Sequence, residues 1–289
     1  KDPAGRLNPC GERLGIPLVG YVQAGFPTPA EEEAARVVVA QDPIQNVFVG
    51  SRIDAGVLSP AASGLLWGWP ARQPIALLHC GANLAPVARN LDPVPAFVEA
   101  AGRRRTSQSI VGPSWLVMPF WRALAARWGR NYDVVREVRP RQPVMAISAP
   151  PRITGDPRLR PIRPAEFTSY FQASVAMYTE EVGSDPGTGP DSGYRNYCWW
   201  LVEQGRAFGI VEDGRVVFKA DIGATSGQVA QVQGVWLDPS LRGQGLSSAA
   251  MAAVVEHVLA EFSVASLYVN DFNVRAVRSY LRTGFEQVG

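Results

Sequence analysis

The stretch VWLDPSLRGQGLSSAAMAAV, residues 235–254, decides how the rest of the chain is read. An apolar run over 232–237 stops at Asp238-Pro239, a turn punctuated by Gly243 and Gly245 follows, and an Ala-rich segment begins at once. This is the pattern of strand, glycine loop and helix. Such a loop leaves the first N–H groups of the helix without intrahelical partners, at the end where the helix dipole favours negative charge. The site suits a phosphate. Gly243 and Gly245 remove the Cβ atoms that would keep a ligand from the backbone, and Arg242 adds a fixed positive charge. A tight turn that merely contains glycines would look the same over so short a window, so the surrounding residues must decide.

Neither the dinucleotide spacing G-x-G-x-x-G nor the triphosphate loop G-x-x-x-x-G-K-[ST] is present in this stretch. Arg242-Gly243-Gln244-Gly245-Leu246-Ser247 instead resembles the [QR]-x-x-G-x-[GA] signature of the GCN5-related N-acetyltransferase (GNAT) family, with Ser247 in place of the final Gly or Ala. The resemblance continues through residues 266–270 and from Asn273 to Phe285, similar to the family's N-x-x-A-x-x-x-Y-x-x-x-G-F element with Ala276, Tyr280 and Gly284 in place. It implies acetyl-CoA as cofactor, pyrophosphate on Arg242, Gly243, Gln244, Gly245, Leu246 and Ser247, Asn270 and Asn273 near the pantetheine arm, and Tyr280 as general acid toward the leaving thiolate. Within the family, the chain most resembles actinobacterial members with an extra N-terminal domain, in runs such as 81–84, 109–113, 218–220 and 269–273.

The 289 residues suffice for two domains, and 46% hydrophobic with 19% charged residues is an ordinary globular composition. A net charge of +2 with a pI near 8.5 is too small a bias for a nucleic-acid partner, and Arg103, Arg104 and Arg105 read as a solvated helix end. Cys10, Cys80 and Cys198 show no metal-ligand spacing, and with only His79 and His257 beside them no metal site is expected. His257 reads as a structural side chain on its helix. No apolar run reaches membrane-spanning length and no signal-peptide pattern opens the chain, so a cytoplasmic protein without membrane partners is expected, and a homodimer is compatible with the reading.

Along the chain, residues 16–22 read as a strand and 29–40 as a helix opened by Glu31, Glu32 and Glu33. Residues 75–80 and 109–111 read as strands and 94–101 as a helix. Residues 115–128 form a helix with Trp115, Leu116, Phe120, Leu124 and Trp128 on one side. Prolines 150, 151, 157, 161 and 164 mark a linker over 149–164, which places an N-terminal domain at 1–150 and a C-terminal domain at 151–289. Beyond it come helices over 166–182 and 194–204, strands over 207–211 and 216–222 joined at Asp213-Gly214, and a third strand over 229–237.

The fold class expected is therefore α/β (α+β): a C-terminal GNAT-like domain with a mixed, mainly antiparallel sheet flanked by helices, preceded by a degenerate GNAT-like domain. Ser109-Ile110-Val111-Gly112-Pro113 is the nearest N-terminal counterpart of the glycine loop, and Pro113 lacks the needed N–H, so one cofactor site is expected. The resemblance also implies one more strand after residues 285–288.

Acetyl transfer to an amine needs a held donor, a polarised carbonyl, a neutral amine and a protonated leaving group. The N–H groups of Val235 and Leu237, on either side of Trp236, serve the first two if their strand splays from its neighbour; otherwise they are simply paired in the sheet. A lysine-like amine, with a pKa of ~10.4, must lose a proton. Glu180 and Glu181, at the end of a helix beside a flexible loop, are the candidate bases, with Asp271 a weaker one. On the helix opened by Asn273, Ala276, Val277, Tyr280 and Leu281 share one stripe, which also suits a core aromatic. The function expected is acetyl-CoA-dependent N-acetylation of a small-molecule or peptide primary amine; the alternative is an acyl-CoA-binding sensor or scaffold.

Overall fold

The computed structural model describes residues 29–58, 65–70, 73–187, 189 and 192–289, so the expected strand over 16–22 lies outside the described residues. The chain divides into two compact units between Arg141 and Gln142.

In the N-terminal unit α1 (Pro29–Ala40) and α2 (Val47–Asp54) precede β1 (Leu65–Trp69), β2 (Ala76–Cys80) and β3 (Asn83–Val87), an antiparallel meander. Next come α3 (Val94–Ala101), then β4 (Ser109–Ile110) parallel to β3, then α4 (Ser114–Trp128) and α5 (Arg130–Asp133). Strand alternation feeds two cores. Leu66, Leu77 and Ala85 pack with Ala35, Val38 and Ile53 of α1 and α2, while Trp67, Leu78 and Leu84 pack with Phe97, Phe120 and Leu124 of α3 and α4. Leu116, Phe120 and Leu124 are fully buried as expected, but Trp115 is 46% exposed and belongs to the outer face of α4.

In the C-terminal unit β5 (Val144–Ile147) and β6 (Arg160–Pro161) lead to α6 (Phe167–Val182) and α7 (Gly193–Glu203). The meander β7 (Ala207–Glu212), β8 (Arg215–Ser226) and β9 (Val229–Leu237) follows, then α8 (Leu246–Leu259), β10 (Val264–Tyr268), α9 (Val274–Thr283) and β11 (Glu286–Gln287). Asp213 and Gly214, at φ 49° and 76°, turn the β7–β8 hairpin in the left-handed region that a tight two-residue turn requires. Among the described residues the sheet has seven strands in the order β11-β5-β10-β9-β8-β7-β6. One face packs Phe208, Phe218, Ala220 and Val232 under Ala250, Val254 and Val258 of α8; the other packs Val216 and Trp236 under Tyr170, Leu201 and Val202 of α6 and α7. Both units run helix, helix, three antiparallel strands, helix, parallel strand, helix.

The division falls before the expected boundary at 150/151 because β5 is a strand of the C-terminal sheet. It lies antiparallel between β10 and β11, pairing Ile147 with Ala265 and Ala146 with Glu286, and Met145 and Ile147 enter the core under α8. The further strand that the resemblance implied thus comes from the chain ahead of the expected domain. Nor are residues 149–164 a free extended linker. Arg152 N–H bonds the Thr283 carbonyl at 2.8 Å, Asp156 N–H bonds that of Ala249 at 3.0 Å, and Leu159 is buried. Arg160 then forks onto Glu166 at 2.7 and 2.8 Å, fixing the start of α6 and holding the Glu166 carboxyl down to about 2.

Candidate active site

The glycine loop is built locally. Asp238 Oδ1 accepts from the Ser240 N–H at 3.0 Å and the Ser240 hydroxyl at 2.6 Å, closing the turn that ends β9. Gly243 and Gly245 both lie at φ 82°, and a Cβ on either would meet nothing within 4 Å. Glycine is demanded by the backbone, not by packing, and the space above it stays open. Gly245 precedes α8 with no side-chain cap, and residues 242–245 are exposed, so the positive end of the helix opens to solvent at the loop. These residues fit a pyrophosphate. Arg242 is less free than its sequence position suggests: its Nη2 donates to both Glu180 oxygens at 3.1 and 2.9 Å and its Nε to the Leu237 carbonyl at 3.0 Å. Ser247 accepts from the Ser279 hydroxyl of α9 at 3.3 Å and keeps its own proton to donate. Gln244 reaches back to the Ser240 carbonyl, and Leu246 opens α8 half-buried.

Upstream, β9 parts from β10. Their parallel pairing covers Val229, Ala230 and Gln231 and goes no further, whereas β8 stays paired with β9 to Leu237. Asp238 N–H bonds the Val217 carbonyl, so by alternation the N–H groups of Leu237 and Val235 point away from β8, toward the edge that β10 has left. Just before them the ladder shifts: Asp221 pairs with Gln233 and Lys219 with Trp236, leaving Gly234 and Val235 opposite Ala220 alone. Gly234, at φ 58°, carries this bulge. The order in space is bulge, open edge, glycine loop.

The remaining candidates separate into those brought together and those with other duties. Tyr280 is 7% exposed, its ring tilted 60° to that of Phe285 with the centroids 5.9 Å apart, and its hydroxyl has no hydrogen bond among the described residues. Burial, and secondarily the Glu181 carboxylate, raise its phenol well above the ordinary value, so the proton stays on at neutral pH. Glu181 therefore acts electrostatically on Tyr280. Glu180 instead receives Arg242 and the Trp236 Nε1 at 3.3 Å, which ties α6 to the loop and to β9. Asn273 caps α9, its side chain accepting from Ala276 N–H at 3.2 Å, and Asn270 accepts from Gln142 at 2.8 Å. Leu281, expected on the inner stripe, is 46% exposed. Asp271 is exposed, and His257 is exposed beside the Phe208 ring.

In the N-terminal unit the expected counterpart of the glycine loop needs correction. Since β4 follows α3 and lies parallel to β3, the segment joining β3 to α3 corresponds to the loop between β9 and α8. That segment, residues 88–93, holds no glycine and places Asp92 and Pro93 directly ahead of the helix. Residues 109–113 sit one strand later.

Sequence reading missed a buried polar group beneath the bulge: Lys219, Asp221 and Tyr170, joined by hydrogen bonds of 2.5 and 2.8 Å. The visible signal was two opposite charges two residues apart inside the apolar run VVFKADI.

The C-terminal unit matches the family model described as Acetyltransferase (GNAT) family over residues 174–285, and residues 64–170 match one described as Domain of unknown function (DUF4081). No curated protein matches the chain significantly. Among solved structures, a Drosophila protein is 14% identical with a TM-score of 0.61, over 89% of this chain and 93% of its own. A GCN5-related N-acetyltransferase from Sphaerobacter thermophilus is 14% identical with a TM-score of 0.56, over 92% and 91%. A GNAT-family protein from Novosphingobium aromaticivorans is 21% identical with a TM-score of 0.39, over 51% of this chain, which spans 59% of that protein's length. At these identities the first two likenesses speak to fold alone.

Proposed function

The C-terminal unit belongs to the GNAT acetyltransferase family, and on that premise we propose that the chain transfers an acetyl group from acetyl-CoA to a primary amine by direct attack on the thioester. One observation carries the reading: β9 leaves β10 after Gln231 and runs, edge open, into a left-handed glycine loop at the start of a helix. Bound acetyl-CoA supplies the activated acyl group. The N–H groups from Gly243 to Ser247 hold its pyrophosphate, and those of Val235 and Leu237 bind the pantetheine arm and polarise the thioester carbonyl. Asn270 and Asn273 border the arm. Tyr280 donates a proton to the departing sulfur, a direction its retained proton allows. Glu181, whose charge acts on Tyr280, takes the proton of the incoming ammonium, while Glu180 holds Arg242 and orients the loop.

The reading is tested by incubating the protein with a cell extract and isotope-labelled acetyl-CoA and following the label by mass spectrometry. Label on a restricted set of primary amines is expected. CoA bound without any transfer would favour a sensor or scaffold instead.

A further inference from the structure

The buried polar group beneath the bulge has no part in the reaction as just described. Lys219 is 0% exposed, its Nζ donates to Asp221 Oδ2 at 2.5 Å, and the Tyr170 hydroxyl of α6 donates to Asp221 Oδ1 at 2.8 Å. Stripping water from an ammonium and a carboxylate costs much of what their attraction returns, and well-packed apolar groups commonly replace such a pair without loss of stability. Stability alone therefore gives no reason for two charges inside an apolar strand.

Their place in the sheet does. A Cβ on Gly234 would fall 2.8 Å from Asp221 Oδ2 and 3.0 Å from Lys219 Nζ, so the pair lies directly against the bulged backbone. Across the ladder Lys219 faces Trp236 and Asp221 faces Gln233, one on each side of the bulge. Both partners are themselves tied to helices on that face, Trp236 to Glu180 of α6 and Gln233 Nε2 to the Tyr197 hydroxyl of α7 at 2.5 Å. Without the bulge the register would slip by one residue, and one of these two side chains would turn to the opposite core.

We propose that Lys219, Asp221 and Tyr170 are positioning residues that hold the Gly234 bulge in register, and so aim the Val235 and Leu237 N–H groups at the pantetheine arm and thioester. This rests on the acetyl-CoA reading. None of the three side chains bonds the glycine loop itself, whose link to this face runs through Trp236, Glu180 and Arg242, so their first effect is on binding of the arm and not of the phosphates.

The test compares two ligands by calorimetry: CoA, and adenosine 3′-phosphate 5′-diphosphate, which carries the phosphates without the arm. The double variant Lys219→Met/Asp221→Leu exchanges the pair for apolar groups, and Tyr170→Phe deletes only one hydrogen bond. The double variant should bind CoA at least about tenfold more weakly, and Tyr170→Phe about threefold more weakly, with affinity for the nucleotide unchanged in both. A purely structural role would weaken both ligands together or lower the melting temperature alone. Either variant, folded and binding CoA as the wild type does, overturns the proposal, and Tyr170→Phe decides the matter should the double variant fail to fold. A wild type that binds neither ligand overturns the acetyl-CoA reading itself, a result distinct from unaltered variants of a CoA-binding wild type.

Discussion

Tyr280 shows how one residue can satisfy two demands. Its ring completes the core with Phe285, while its hydroxyl finds no partner among the described residues and retains its proton under the influence of burial and Glu181. Tyr280→Phe keeps the packing and removes the donor. With chemistry rate-limiting, kcat should fall by roughly 10²–10⁴-fold while CoA affinity and melting temperature hardly move; a variant that turns over at the wild-type rate would leave Tyr280 a core residue only. His79 in the N-terminal unit makes a different prediction. Desolvation lowers its imidazole to about 4, and its Nδ1 donates to the Asn83 carbonyl at 3.2 Å, as the neutral tautomer requires. In the unfolded chain it titrates near 6.5, so the unfolded state binds the proton first as pH falls. Its contribution is present above that value and is lost between 6.5 and about 4, an effect of roughly 3 kcal/mol. Denaturant unfolding across this range should show the loss in wild type and not in His79→Leu; an equal slope in both would place its origin elsewhere.

Among the elements, β5 has the clearest consequence. It hydrogen-bonds β10 on one side and β11 on the other, so a chain beginning at residue 152 would expose two strand edges and lose Met145 and Ile147 from the core. The fragment 142–289 should be soluble and melt cooperatively, whereas 152–289 should aggregate. Equal solubility of the two, by light scattering and calorimetry, would deny β5 this role. Much of this unit was legible in the sequence where the determinants are local. Asp213-Gly214 needs positive φ, the glycine loop needs it again, and β9 over 229–237 carries its own alternation. What could not be read depends on partners distant in the chain. The four apolar residues of β5 follow Pro143 and precede a proline-rich stretch, and nothing among them names a strand more than a hundred positions away as their neighbour. The Arg242–Glu180 pair was hidden for the same reason. Leu281 was misplaced because a stripe of three and four spacings is wider than the face that α9 buries.

Among the described residues the same order of elements occurs twice, but only the C-terminal unit joins the last strand of its meander to the next helix through left-handed glycines. The C-terminal loop combines left-handed glycines with open space; its N-terminal counterpart, residues 88–93, offers Asp92 and Pro93. Sequence reading placed the N-terminal counterpart of the loop at 109–113, which holds a conspicuous Gly-Pro, because the parallel pairing of β4 is invisible in the sequence. The proposed activity depends first on whether the loop at 243–245 binds the cofactor. Isothermal titration of CoA into the full chain and into Gly245→Asp tests this, because the new side chain adds both bulk and negative charge at an exposed position. One site per wild-type chain is expected, with no measurable binding to a variant whose melting temperature is lowered only by the strain of a non-glycine residue at φ 82°. Two sites per chain, or wild-type affinity in the folded variant, would contradict it.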